Sequence, residues 1–385
     1  MIKPGASIMN DVSVLQEIEN HIPVVGDINF KSPFAYQATF GVVKTVNMVQ
    51  MAVAEAYING YEVPDSVLKV LFDACMPVFF QLFPSLLTAY EWVLKESDNL
   101  AEGARDLMKI QYDLPQEMFN LMLGSSKLVY PKYTMGLWEK GALNLEQAQI
   151  HMMDDVIEKL DIKDGDHILD IGCGWGCLGN YILAKFPKAK VTGLNLSHEQ
   201  CEYIRQKMKS PESNLNSDRF TLYEGDFNDA GFDIKFDKIV SLGVFEHVGN
   251  LTKAFQKIAS FLKKDGKVFI HIMTIRTPNS VSSVFTHKYI FPHGRFWNYN
   301  VIPSKNNDLK TIKSWYINGC NYSQTYGNWL KNFDDNQATI KNLDFGIDYP
   351  KFRRMWRFYL IWFSRNFAAS DGEYNGNGQY LMAHA

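Results

Sequence analysis

An acid and a histidine stand side by side at Glu246-His247, directly after the apolar run FDKIVSLGVF. A neutral imidazole can take a proton near neutral pH, and a neighbouring carboxylate can orient it or draw a cation towards it. A second chemistry-bearing stretch, ILDIGCGWG at 168–176, sets Asp170 just ahead of Gly172, Gly174 and Gly176. Glycines in such a turn permit positive φ and let a ligand approach the backbone closely. A helix that starts there offers free N–H groups to an anion. The spacing is G-x-G-x-G and not the G-x-G-x-x-G of a dinucleotide fingerprint, so the turn alone names no ligand.

Alternating strands and helices must position these residues. From 146 onward EQAQIHMMDDVIEKL reads as a helix. HILDIG, KVTGLNL, FTLYEGD, FDKIVSLG and GKVFIHIM then read as short strands, separated by helix-like CLGNYILAKF, HEQCEYIRQKM and LTKAFQKIASFLKK. That order predicts an α/β fold with a mostly parallel, doubly wound sheet. KTIKSWYING and GQYLMAHA fit an antiparallel pair completing it, seven strands in all. Ligands of open α/β sheets bind beyond the carboxyl ends of the strands. Both stretches lie there, the glycine turn after the first strand and Glu246-His247 after the fourth.

Upstream, NMVQMAVAEAYI, SVLKVLFDA and QEMFNLML carry apolar residues at three- and four-residue spacing. They predict a helical N-terminal cap region over 1–123, ahead of a main domain over 124–385. An aromatic-rich insertion at about 276–310 contains HKYIFPHGRFWNYN, including His287 and His293. FRRMWRFYLIWFSRNF reads as a helix with four arginines and seven aromatics. Its aromatics suit either a lid over the strand ends or an ordinary core, its arginines a membrane contact or a solvated face.

At 385 residues, 46 % apolar and 14 % aromatic, the chain can bury one large core or two smaller ones. A net charge of −3 without a basic run leaves no electrostatic footprint for nucleic acid. Five scattered cysteines suit a reducing compartment, and Cys173 with Cys177 lacks a second Cys/His pair, so no metal site is expected. MIKPGASIMNDVSVLQEIEN lacks the apolar core of a secretory signal. The greasiest stretch, VLFDACMPVFFQLFPSLLTAYEWVL, is broken by Asp73, Pro77, Gln81 and Pro84, short of the roughly 20 apolar residues a spanning helix needs. A cytoplasmic protein with no transmembrane segment is expected; a homodimer stays open.

The strand–turn–helix at 168–176 resembles that of class I, Rossmann-like methyltransferases dependent on S-adenosylmethionine. That resemblance implies that Asp170 holds the amino group of the methionine moiety and the helix N–H groups its carboxylate. Asn195, with Gln200 nearby, stands where an acidic residue often binds ribose hydroxyls. Asp226 would accept from the adenine amino group, and Phe227 would stack on its ring or simply fill core. PKYTMGLWEKGALNLEQAQ, DIGCGWG, GLNLSHEQ and SLGVFEHVG together resemble the cyclopropane fatty acid synthase superfamily. GYEVPDSVLKVLF, YDLPQEMFNLMLGSSKL and SWYINGCNYSQTYGNWLKNFDDN are similar to coclaurine-type N-methyltransferases. The superfamily likeness implies that Tyr133 and Thr134 touch S-adenosylmethionine. It implies too that Glu246, His271 and Tyr322 match positions that hold bicarbonate in cyclopropane synthases, Met135 replacing a cysteine there. In coclaurine-type enzymes the pair matching Glu246-His247 binds and deprotonates the amine, and a further glutamate stands where this chain has Gly243.

Two chemistries follow. An amine with a pKa near 10.4 costs roughly 4–5 kcal/mol to deprotonate at pH 7. His247 would take that proton beside Glu246, with Phe245, Tyr322, Trp297 and Trp329 as a box for the cation. An alkene already has its electrons, but the cation formed must lose a proton to a buried base such as bicarbonate. The leading expectation is N-methylation of a small, aromatic amine. The alternative is methyl or methylene transfer to an unsaturated lipid.

Overall fold

The computed structural model describes residues 33–77, 96, 100, 114–276, 283–292, 294–305 and 307–385. Much of the expected cap (1–32 and most of 78–113) and His293 lie outside these residues. Helices α1 (Pro33–Ile58) and α2 (Asp65–Pro77) come first, followed by α3 (Gln116–Leu123), which starts behind Pro115. Proline is suited to a helix start, where its missing N–H would have had no partner. α4 (Leu145–Leu160) is capped at both ends: Asn144 accepts from the Gln147 N–H, and Asp161 takes the left-handed conformation at φ 58°.

The predicted alternation then appears as β1 (His167–Ile171), α5 (Cys177–Lys185), β2 (Lys190–Asn195), α6 (His198–Lys209), β3 (Phe220–Glu224), β4 (Phe236–Leu242), α7 (Leu251–Phe261) and β5 (Leu262–Ile275). Within the insertion lie α8 (Val284–Tyr289), a two-residue β6 (Trp297–Asn298) and α9 (Val301–Ser304). β7 (Leu309–Ile317), α10 (Cys320–Asp335), α11 (Gln337–Ile340), α12 (Tyr349–Gly372) and β8 (Asn375–His384) complete the chain.

Seven strands run β3-β2-β1-β4-β5-β8-β7, and the short β6 adds to β5 as an eighth. The first five are mutually parallel, while β8 pairs antiparallel with both β5 and β7, as expected of the C-terminal pair. Alternation along β5 sends Val268, Ile270 and Ile272 into one core and Phe269 and Met273 into the other, on opposite faces of the sheet. The second core also takes in α1 to α6, α10 and α12.

All seven aromatics of the 352–367 stretch are buried in α12. Each of its arginines meets an acid, Arg357 buried and Arg365 about one-third exposed. Arg357 binds Asp65 at 2.6 and 2.7 Å and also Asp334; Arg353 reaches Asp334 at 3.0 Å, Arg354 Glu62 at 3.4 Å, and Arg365 Asp73 at 2.7 Å. Asp65 and Asp73 belong to α2, so α12 clamps the N-terminal helices onto the rest. Among the described residues no helix is long and apolar enough to cross a membrane.

Candidate active site

A cavity of about 180 Å³ opens at the carboxyl ends of β1, β2 and β4. Its floor is the glycine turn. The Gly172 and Cys173 N–H groups donate to Leu194 O at 2.8 and 3.1 Å, tying the turn to the end of β2. Gly172 lies at φ +72°, and a Cβ there would come within 2.2 Å of Val244 Cγ2. Gly174, at φ +55°, has nothing within 4 Å of that position and faces the cavity. Gly176 does not line it. It caps α5 at φ +77° against Leu215 and Ile204, so it sets the helix entry.

Most of the cofactor-binding residues expected from sequence converge here: Tyr133, Thr134, Asp170, Gly172, Gly174, Asn195, Gln200, Asp226 and Phe227 all line the cavity. Asp170 is 3 % exposed, and among the described residues its carboxylate has no hydrogen-bond or ion-pair partner. Burial alone lifts its carboxyl to about 7. An orphaned buried acid of this kind suits an ammonium group, as the amino-acid end of S-adenosylmethionine offers. The Asn195 amide donates to Gly174 O at 3.0 Å and to Gln200 Oε1 at 2.9 Å, which fixes the end of β2 to the turn. Asp226 accepts from the backbone N–H of Asn228 at 2.8 Å. Phe227 serves both readings, packed in a core and lining the cavity. This set fits the cofactor.

Of the expected chemical residues only His247 lines the cavity. It sits with Glu246 in a short 3₁₀ turn, Phe245–His247, just past β4. Glu246 is 4 % exposed; its Oε1 accepts from the Met273 N–H at 2.8 Å, and Oε2 is buried with no partner. Burial pushes this carboxyl up to about 7. His247 Nδ1 is likewise buried without a partner, and burial lowers the imidazole to about 4. No hydrogen bond joins the two side chains, so Glu246 is held by β5 and does not orient the imidazole through one.

His271 lies on β5 opposite Gln379 of β8. Lys159 holds the Gln379 oxygen at 2.5 Å, leaving the Gln379 amide nitrogen to donate to His271 Nδ1 at 3.3 Å. A neutral imidazole then carries its proton on Nε2. Asn377 Nδ2 lies 3.0 Å from Nε2; turning this amide over brings its unpartnered oxygen to the Nε2 proton. Burial, aided by the Lys132 charge, keeps His271 neutral down to about 3. Both ring nitrogens therefore have protein partners. Tyr322 stacks on Tyr326 at 4.9 Å inside the α10–α12 core. Neither residue lines the cavity.

The expected aromatic box is not assembled. Phe245 stacks on Phe255 at 5.5 Å and Trp297 donates to Phe245 O at 3.2 Å, on one face of the sheet; Tyr322 and Trp329 lie in the core of the other. Strand β5, between them, separates the pairs. The ring nearest His247 is Phe291, 5.7 Å away, which in turn touches Tyr359 at 5.9 Å. The Tyr359 hydroxyl bonds that of Tyr133 at 2.9 Å, linking this aromatic wall to the cavity. His287 is buried in α8, not at the surface.

Gly243 lies at φ +70° with a Cβ position 2.9 Å from Thr134 Cγ2. A glutamate there would be strained by the backbone and would push on the Thr134 methyl. Sequence reasoning missed Lys132, which lines the cavity although only 6 % exposed. Its signal was a single charge inside the apolar stretch LVYPKYTMGLW.

Comparison with known proteins bears on this site. The family model for mycolic acid cyclopropane synthetase matches residues 101–374. (S)-Coclaurine N-methyltransferase of Papaver somniferum is 28 % identical over 286 residues, covering 71 % of this chain and 78 % of its own. Cyclopropane-fatty-acyl-phospholipid synthase of Escherichia coli K12 is 30 % identical over 266 residues, covering 68 % of this chain and 64 % of its own. A solved coclaurine N-methyltransferase bound to N-methylheliamine and SAH superposes with a TM-score of 0.75 at 20 % identity, over 87 % of this chain and 99 % of that one.

Proposed function

This chain belongs to the mycolic acid cyclopropane synthetase family and is an S-adenosylmethionine-dependent methyltransferase, and from that premise we propose that it methylates the nitrogen of a small amine. When bound, S-adenosylmethionine supplies an electrophilic methyl group on a sulfonium centre. Asp170, the glycine turn and the Asn195–Asp226 wall hold it. The observation that carries the amine reading is the pair of buried, unpartnered atoms beside the cavity, Glu246 Oε2 and His247 Nδ1. With Glu246 ionised and the His247 proton on Nε2, each is an acceptor, and an orphaned buried acceptor costs about 1–3 kcal/mol. An ammonium or amine supplies the missing N–H donors; an alkene supplies none. Glu246, ionised by an arriving cation, holds the amine, and neutral His247 takes its proton. Tyr133, which lines the cavity, offers its ring to an aromatic acceptor, backed by Tyr359 and Phe291.

A second reading, methyl or methylene transfer to an unsaturated lipid with bicarbonate as base, draws support from the similarity to the E. coli synthase. Glu246 is also tied to Met273, two residues from His271 on the same strand face. Against it, both His271 ring nitrogens are already engaged.

Methyl-labelled S-adenosylmethionine, offered with primary, secondary and tertiary aromatic amines and separately with unsaturated phospholipid, tests the choice. Label in the amine pool is the expected result. Label in the lipid alone, increased by added bicarbonate, overturns it.

A further inference from the structure

Lys132 has no place in the chemistry described so far. It lies in the loop between α3 and α4, buried, with its ammonium at the cavity wall. An ammonium carries three N–H donors. Two are taken by neutral oxygens, Thr134 Oγ1 at 2.6 Å and Met135 O at 2.7 Å. Among the described residues no carboxylate lies within 4 Å of it. A buried cation without an anion is costly unless something else supplies the charge.

Asp170, on the same cavity, presents the mirror case: a buried acid with no cation. Cys177, the first residue of α5, lines the same cavity and feels both charges. Burial pushes that thiol up to about 12, while the Lys132 charge pulls it down and the Asp170 charge adds to the rise. The two opposite charges thus share one cavity yet do not pair with each other. An α-amino acid carries an ammonium and a carboxylate on one carbon, which answers both.

We infer that Lys132 binds the carboxylate of the cofactor's methionine moiety, opposite Asp170 on its ammonium. The third N–H of Lys132 remains for the ligand, and Thr134, already expected at the cofactor, holds the ammonium in place. Burial, which brings Lys132 down to about 8, leaves it largely charged at pH 7. The inference rests on the cofactor alone and is independent of the methyl acceptor.

The test is equilibrium binding by the purified full chain, with no acceptor present, of S-adenosylhomocysteine and of its decarboxylated analogue, which lacks only the carboxylate. Wild type should prefer the former by about 10–100-fold, the range of a charge-assisted hydrogen bond. Lys132→Met should weaken S-adenosylhomocysteine about tenfold or more and leave the analogue within about threefold, so the preference collapses. Lys132→Arg should keep part of it. Equal weakening of both ligands by Lys132→Met overturns the inference and leaves Lys132 a loop tether. So does no weakening of either. Should Lys132→Met fail to fold, Lys132→Gln carries the same comparison, and wild type binding both ligands equally overturns the inference without any variant.

Discussion

Burial drives the acid and the imidazole at 246–247 in opposite directions, and each direction has a consequence. Glu246 rises from 4.5 to about 7, a gap worth about 3 kcal/mol of folded-state penalty once the group must ionise. Its contribution to stability is therefore intact below the unfolded value and lost as pH rises through about 7. Glu246→Gln should flatten that decline between pH 5 and 8 in the ligand-free protein, read by denaturant unfolding, while methyl transfer falls by two or more orders of magnitude. Equal pH slopes for variant and wild type would remove the buried charge from the account. His247 falls to about 4 and is neutral at pH 7, ready to accept a proton. His247→Ala should cut the rate about 10²–10⁴-fold at pH 7, the usual range for a general base. The deficit should shrink towards pH 10 as the amine sheds its own proton, whereas a loss of constant size across that range speaks for a merely structural imidazole. Asp170, lifted to about 7, must ionise to meet the cofactor's ammonium. Affinity for S-adenosylhomocysteine should then weaken as pH falls below about 7, by up to tenfold per pH unit, and Asp170→Asn should bind weakly with no such slope. A flat wild-type profile would contradict this role.

At the scale of elements, α12 carries more than its sequence suggested. Seven aromatics in FRRMWRFYLIWFSRNF announced burial, and all seven are buried, because apolar area of that size has no stable place in water. Its arginines were ambiguous, since a charge on a helix says nothing about which distant acid it will meet. Arg357, side chain 9 % exposed, joins Asp65 on α2 to Asp334 on α10, and removing it leaves Asp65 without its cation and Asp334 with Arg353 alone. Arg357→Met should cost about 2–4 kcal/mol in urea unfolding; a change within about 0.5 kcal/mol would reduce the clamp to a surface pair. The β-strands and the glycine turn were legible because short β-rich apolar runs and glycine-rich turns are local properties. Lys132 and the separation of Phe245 and Trp297 from Tyr322 and Trp329 were not, because they depend on which face of β5 each distant segment covers. Gly243 lies between these cases: the residue was visible, but the Thr134 methyl that a Cβ there would meet is a tertiary contact.

On the scale of the whole molecule, the last strand returns from far along the chain to lie between β5 and β7, and a polar network fastens it there. His271 of β5 is held between Asn377 and Gln379 of β8; Gln379 reaches Asp155 at 3.2 Å and Lys159, both on α4, and Lys140 reaches Asp155 at 2.9 Å. Three elements distant in sequence, β5, β8 and α4, are thus joined through one imidazole, 1 % exposed. Networks of this kind are strong only when every member is satisfied, and removing the centre orphans several partners at once. If this fastening is the work of His271, His271→Ala should lower stability by about 2–4 kcal/mol and depress the thermal midpoint by several degrees. Methyl transfer to saturating amine, measured below the new midpoint, should stay within about threefold of wild type, because the cavity at β1, β2 and β4 does not include this side chain. The bicarbonate reading requires the reverse, a folded protein of nearly unchanged midpoint whose turnover has fallen a hundredfold or more. The two quantities, midpoint and turnover, therefore separate a histidine that joins the sheet from one that serves the reaction.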